Sequence, residues 1–117
     1  MIDIHSYPGP EAPAPEAHRV AVLGEFGGLG LAIPDHSWQK DGWGYLSYKK
    51  QEELTQAFVD LFKKLKPLIA NPGLSAAIYT QTTDVETEVN GLMTYDRELL
   101  KMDMSVVSKC VADLLKP

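Results

Sequence analysis

Val20-Ala21-Val22-Leu23-Gly24-Glu25-Phe26-Gly27-Gly28 is the stretch that decides how this chain folds. Apolar and small residues run from Val20 to Gly24 and stop at a carboxylate, which is followed by an aromatic ring and two glycines. A short apolar run bounded by glycine is the pattern of a strand covered on both faces, as in a parallel sheet. An acid at the C-terminal tip of such a strand lies where open α/β sheets and barrels keep their chemistry. Gly27 and Gly28 permit a sharp turn and the close approach of a ligand. The plainer reading is a strand that stops at a polar residue, and the neighbouring segments weigh between the two.

Two further strands flank this one. Ile2 to Tyr7 alternates as a short strand, and Leu74 to Thr80 reads as a third. Between the first two, Pro8, Pro10, Pro13 and Pro15 forbid a helix and dictate an extended loop. Gln51 to Ala70 is a helix with Leu54, Phe58, Leu61, Leu65, Leu68 and Ile69 on one face; Asn71-Pro72-Gly73 ends it. Asp103 can cap a last helix through Leu115, whose apolar side holds Val106, Val107, Cys110, Val111, Leu114 and Leu115. Phe26 to Tyr48, rich in glycine and aromatics, and Gln81 to Met102, largely polar, are long connections. Loops of such length in a compact domain are usually functional.

Strands alternating with helices imply an α/β fold with a parallel sheet. Three strands with two helices on one face leave the other face bare, so the expectation is part of a barrel. A complete doubly wound domain would cover both faces. Residues 1–117 form one domain at most. The chain begins within a strand pattern at Met1, which suggests a fragment of a longer protein. Open strand edges then predict self-association or pairing with the remainder of the barrel.

Composition narrows the function. The chain is 44% apolar and 23% charged, with a net charge of −5 and scattered basic residues, which argues against a nucleic-acid groove. A single cysteine, Cys110, rules out an internal disulfide and a cysteine-based metal site; its neighbours Val107, Val111 and Leu114 predict a buried thiol. His18 and His36 have no metal-ligand spacing, and nothing implies a cofactor. No apolar run of membrane-spanning length occurs, and the N-terminus lacks the basic and apolar regions of a signal peptide.

Parallel strands bring their C-terminal ends together. That edge collects His5, Tyr7, Glu25, Tyr79 and Gln81, and the following loops add Trp38, Trp43, Asp84, Glu86, Glu88 and Asn90. A carboxylate among tyrosines, tryptophans and amides suits a carbohydrate, whose ring faces stack on aromatics and whose hydroxyls need planar polar partners. A Glu there can act as nucleophile on an anomeric carbon or as general acid/base. Asp84, Glu86 and Glu88 are open to three roles: a solvated rim or sugar subsite, a cation site of hard oxygen ligands, or catalysis. Trp38 and Trp43 either meet a sugar or cover the helix layer. His5 either supports the site from behind or contacts the ligand.

The segments Asp3-Ile4-His5-Ser6-Tyr7-Pro8-Gly9-Pro10, Gly24-Glu25-Phe26-Gly27-Gly28 and Tyr79-Thr80-Gln81-Thr82-Thr83-Asp84-Val85-Glu86-Thr87-Glu88-Val89-Asn90-Gly91 resemble the C-terminal part of glycoside hydrolase family 2. That family includes β-galactosidases, β-glucuronidases and β-mannosidases. The resemblance covers nearly the whole chain and aligns it with strands six to eight of a (β/α)8 barrel. It implies a retaining mechanism on β-linked sugars, with Glu25 as nucleophile and Tyr7 as its hydrogen-bonding partner. Tyr79 takes the place of the aromatic residue, often a tryptophan, that closes strand eight. Some members carry a histidine three residues after the nucleophile; this chain has Gly28 there. The family's general acid/base stands on strand four, which this sequence does not contain, so the 117 residues alone are expected to be inactive.

Overall fold

The computed structural model describes all 117 residues. Its strands and helices run β1 (Ile2–Ser6), β2 (Ala21–Gly27), β3 (Leu29–Gly30), β4 (Leu46–Ser47), α1 (Gln51–Ala70), β5 (Leu74–Thr80) and α2 (Met104–Leu114). The architecture is α/β: β1, β2 and β5 form one parallel sheet with β2 in the middle. No helix is long and apolar enough to cross a membrane.

The apolar run of β2 fills the centre. Leu23 and Phe26 are fully buried and join Leu54, Phe58, Leu61, Phe62 and Leu65 of α1 in a single core. Each such side chain contributes about 1.5–3 kcal/mol by leaving water. The expected stripe of α1 is buried as far as Leu65, while Ile69 near its end is 41% exposed. Helix α1 ends at Asn71, whose N–H donates to Pro67 O, and Gly73 follows at φ +102, a conformation that favours glycine. Asp103 caps α2 by accepting from the N–H groups of Ser105 and Val106. The backbone N–H of Asp103 in turn donates to the Thr55 hydroxyl at 3.1 Å, which ties the start of α2 to α1.

Helix α2 is less buried than its periodicity suggests. Val107 alone is fully buried, Val106 is 37% exposed and Leu115 lies beyond the helix at 79%. Cys110 is only partly buried, not enclosed as expected. Helix α2 packs chiefly on α1, which leaves its outer side wet.

The glycine-rich connection after β2 carries structure that its sequence does not advertise. Residues Leu29–Gly30 and Leu46–Ser47 pair in parallel as a small second sheet. Gly30 and Gly44 approach each other too closely for side chains on both.

The register along β2 determines which way its acid points. Ile4 lies beside Leu23, but His5 lies beside Glu25, so Gly24 is an extra residue on β2. The same slip separates Leu23↔Ala77 from Phe26↔Tyr79 on the other side. Side chains of a regular strand alternate, which would put Glu25 on the same side as Leu23, in the core. The bulge at Gly24 resets the alternation, so that Phe26 is buried and Glu25 emerges on the face opposite the helices.

The candidate active site

The open face at the C-terminal end of the sheet holds a connected group of polar side chains. Spacing of two along β1 puts Asp3, His5 and Tyr7 on one side of the strand. The Tyr7 hydroxyl donates a hydrogen bond to Glu25 Oε2. Its oxygen is also 3.1 Å from Thr80 Oγ1 at the end of β5. The phenol has one proton, given to Glu25, so the threonine hydroxyl is the donor in the second contact. Partial burial, with the adjacent Glu25 carboxylate, pushes the Tyr7 phenol up to about 12. Tyr7 therefore stays protonated and donating at any ordinary pH.

His5 lies between two carboxylates. Its Nδ1 is 3.5 Å from Glu25 Oε2 and its Nε2 is 3.2 Å from Asp3 Oδ2. The other oxygen of Asp3 accepts the Gly24 N–H at 2.8 Å. The Glu25 side chain keeps 44% of its surface in solvent, so it is held and yet reachable.

Aromatic rings line one side of this group. Tyr45 stacks face to face on Tyr7, centroids 3.9 Å apart and planes 4° from parallel, and Trp43 meets Tyr45 edge-on at 5.5 Å. Gly28, at φ +66, makes the stack possible, because a Cβ there would collide with both tyrosines. Trp43 and Tyr45 remain 46% and 48% exposed. The Trp43 segment is bridged to residues 87–89 through Trp43 N–H to Thr87 O and Val89 N–H to Trp43 O, each 2.8 Å.

Tyr79 does not reach this surface. Its ring lies among Phe26, Phe58 and Phe62 on the helix side, and its buried hydroxyl faces the Leu29 backbone without forming a proper hydrogen bond. Burial raises its phenol well above the ordinary tyrosine value. The expectation that Tyr79 binds substrate is therefore corrected: Phe26 and Tyr79 both face the helices because their strands are paired there, in register, at the core.

Asp84 is corrected too. Its carboxylate is 2% exposed and meets Lys101 Nζ at 2.6 Å, while Lys101 is wholly enclosed. Lys101 also donates to Leu31 O and Val89 O at 2.9 and 2.8 Å, and Asp84 Oδ1 accepts the Gly91 N–H. Burial pushes the Asp84 carboxyl up and the Lys101 ammonium down. This pair ties the connection after β5 to itself and to the segment at Leu31, and is not part of a rim. Glu86 is exposed at the tip of the same turn, at φ +52. Gln81 adjoins Thr80, but its amide donates to Asn90 Oδ1 at 2.6 Å, and Asn90 donates to Glu88 Oε1 at 2.9 Å. The three carboxylates of residues 84, 86 and 88 thus take three different environments.

Trp38 packs edge-on against Tyr95, apart from the Tyr7–Tyr45–Trp43 stack. Nearby in sequence, His36 Nδ1 is 2.8 Å from Asp96 Oδ2 and 3.8 Å from Glu98. The Thr94 hydroxyl, with the Glu98 N–H and His36, holds the Asp96 carboxyl down at about 2. These side chains clasp two loops to one another.

The sequence reading overlooked Asp3, Thr80 and the stacking role of Tyr45. Asp3 was legible in principle from its two-residue spacing to His5 and Tyr7. Thr80 and Tyr45 were not, because their contacts span 73 and 38 positions. Compared with protein-family models and with curated proteins, the chain matches none.

Proposed function

We propose that this chain is the nucleophile-bearing part of a retaining glycoside hydrolase acting on β-linked sugars, related to family 2. In this reading its sheet corresponds to strands six to eight of a (β/α)8 barrel. The observation that carries the proposal is the Tyr7–Glu25 hydrogen bond on the open C-terminal edge of a parallel sheet, beside an exposed aromatic wall. The family resemblance of the motifs around Asp3, Glu25 and Tyr79 adds to it.

The chemistry follows from the groups present. A Glu25 oxygen attacks the anomeric carbon as the bond to the departing glycosidic oxygen breaks. A second carboxyl group, supplied from outside these residues, protonates that oxygen. Water then attacks the glycosyl ester, delivers its proton to that second carboxylate, and frees Glu25. Tyr7 holds one Glu25 oxygen by donation, which fixes the rotamer of the other. Trp43 and Tyr45 offer apolar faces to a sugar ring.

A binding-only reading has one observation in its favour. Asp3 is engaged with His5 and Gly24, Asp84 with Lys101, and Glu88 with Asn90, so none of these three is a free second carboxyl for Glu25. General acid help is typically worth ~10²–10⁴-fold, so the 117 residues alone are expected to hydrolyse no glycoside at a useful rate. A 2-fluoro glycoside with an activated leaving group decides between the readings. On a protein with the complete barrel it is expected to esterify Glu25, as read by peptide mass. Labelling elsewhere, or none, overturns the proposal. Partner surfaces are covered by the same reading: β1 and β5 are sheet edges, and Ile78 on β5 is 57% exposed.

A further inference from the structure

The geometry points to Asp3 as the positioning residue for Glu25, acting through the β2 bulge and through His5; this rests on the proposed nucleophilic role. One carboxylate oxygen accepts the N–H of Gly24, the extra residue on β2, at 2.8 Å. The other faces His5 Nε2 at 3.2 Å, and the far nitrogen of that ring faces Glu25. Asp3 therefore grips both routes to Glu25, the backbone on which it stands and the ring beside it.

The bulge matters because alternation would otherwise turn Glu25 toward Leu23 and the core. An extra residue leaves an N–H outside the regular ladder, and an unpaired backbone donor is costly. Asp3 supplies the missing acceptor with a charged oxygen, the stronger kind of hydrogen bond. Gly24 is matched to this: a Cβ there would overlap the Asp3 carboxylate. Asp3 touches no reacting atom; it acts on the placement of one that does.

Two substitutions separate this role from mere support of the fold. Asp3→Asn keeps an oxygen acceptor for Gly24, and Asp3→Ala removes it. On the 117-residue chain, the readouts are amide exchange at Gly24 and the hydroxyl proton of Tyr7, whose donation to Glu25 should slow its exchange and make it visible by proton NMR. Asp3→Asn is expected to retain both signals. Asp3→Ala is expected to speed Gly24 exchange at least about tenfold and to lose the Tyr7 proton, with Leu23 protection and helical circular dichroism unchanged. If Asp3→Ala loses its helical signal as well, Asp3→Ser is read in its place. Wild-type signals in the alanine variant overturn the inference, and so does equal loss in the asparagine variant. In a complete barrel, Asp3→Ala should slow fluoroglycoside labelling of Glu25 about 10²-fold, the usual cost of a small misplacement. If wild-type Glu25 is never labelled while the NMR results hold, the hydrolase reading falls and the positioning role of Asp3 stands.

Discussion

Glu25 stands near the C-terminal end of β2 and Asp84 comes shortly after β5 of the same sheet, yet the chain treats their carboxylates in opposite ways. Glu25 is 44% exposed, gripped by the Tyr7 phenol and flanked by His5. Asp84 is 2% exposed, ion-paired to Lys101 and hydrogen-bonded by the Gly91 N–H. An enclosed carboxylate with an enclosed ammonium has no room for a ligand. A half-exposed carboxylate with one oxygen tethered keeps the other for chemistry. The difference teaches that reach, and not position near the end of a strand, separates a candidate nucleophile from a clasp.

The contrast breaks most sharply at Glu25 itself. In a protein with the complete barrel, Glu25→Ala should lower kcat by a factor on the order of 10⁴–10⁶, as for loss of other covalent nucleophiles, with melting temperature nearly unchanged. Retained activity would remove the distinction between the two acids.

Lys101→Met tests the other half by equilibrium unfolding in urea. It strands the buried Asp84 carboxylate and two carbonyls, so a loss of about 3–5 kcal/mol is expected. Loss below about 1 kcal/mol would mean that the pair is not a clasp. Lys101→Met with Asp84→Leu should recover much of the loss, since a buried pair exchanged for apolar groups is often close to neutral.

Gly24→Ala sharpens the comparison at the bulge. Its Cβ overlaps the Asp3 carboxylate, and the strain should cost about 1–3 kcal/mol. Asp3→Ala in the same chain should relieve part of that cost, giving a coupling of at least about 0.5 kcal/mol in a double-mutant cycle. Additive effects would show that the two residues do not touch.

The smallest effect is on the Tyr7 titration. Its phenol is raised in the folded chain to about 12 from an ordinary value of 10.0. Between those values the unfolded chain has released this proton while the folded chain retains it. Stability from this group is therefore complete below pH 10 and is lost as pH rises toward 12. Glu25→Gln should bring the phenol only part of the way back, because burial is the largest cause of its shift. Carbon-13 labelling of the tyrosine rings follows it residue by residue; a return all the way to 10 would make the carboxylate, and not burial, the dominant cause.

The order and type of β1, β2, α1, β5 and α2 were legible in the sequence, while the short β3 and β4 were not. The period of α1, the Asp103 cap, the proline loop and the apolar run of β2 are local patterns, and local patterns need only near neighbours to be read. Local, too, was the placement of Glu25 and Tyr7 near the C-terminal ends of two strands, although β2 runs on to Gly27 and β1 stops at Ser6. What required the tertiary structure was every decision set by register or distant contact. The extra residue at Gly24 turns Glu25 away from the core, and no periodicity announces it, because the slip exists only relative to β1 and β5. The same pairing sends Tyr79 to the helix side, and Lys101, 17 positions along the chain, draws Asp84 inside. Residue types and their order determined which groups this protein has for chemistry; strand pairing and burial determined which of them water and a ligand can reach.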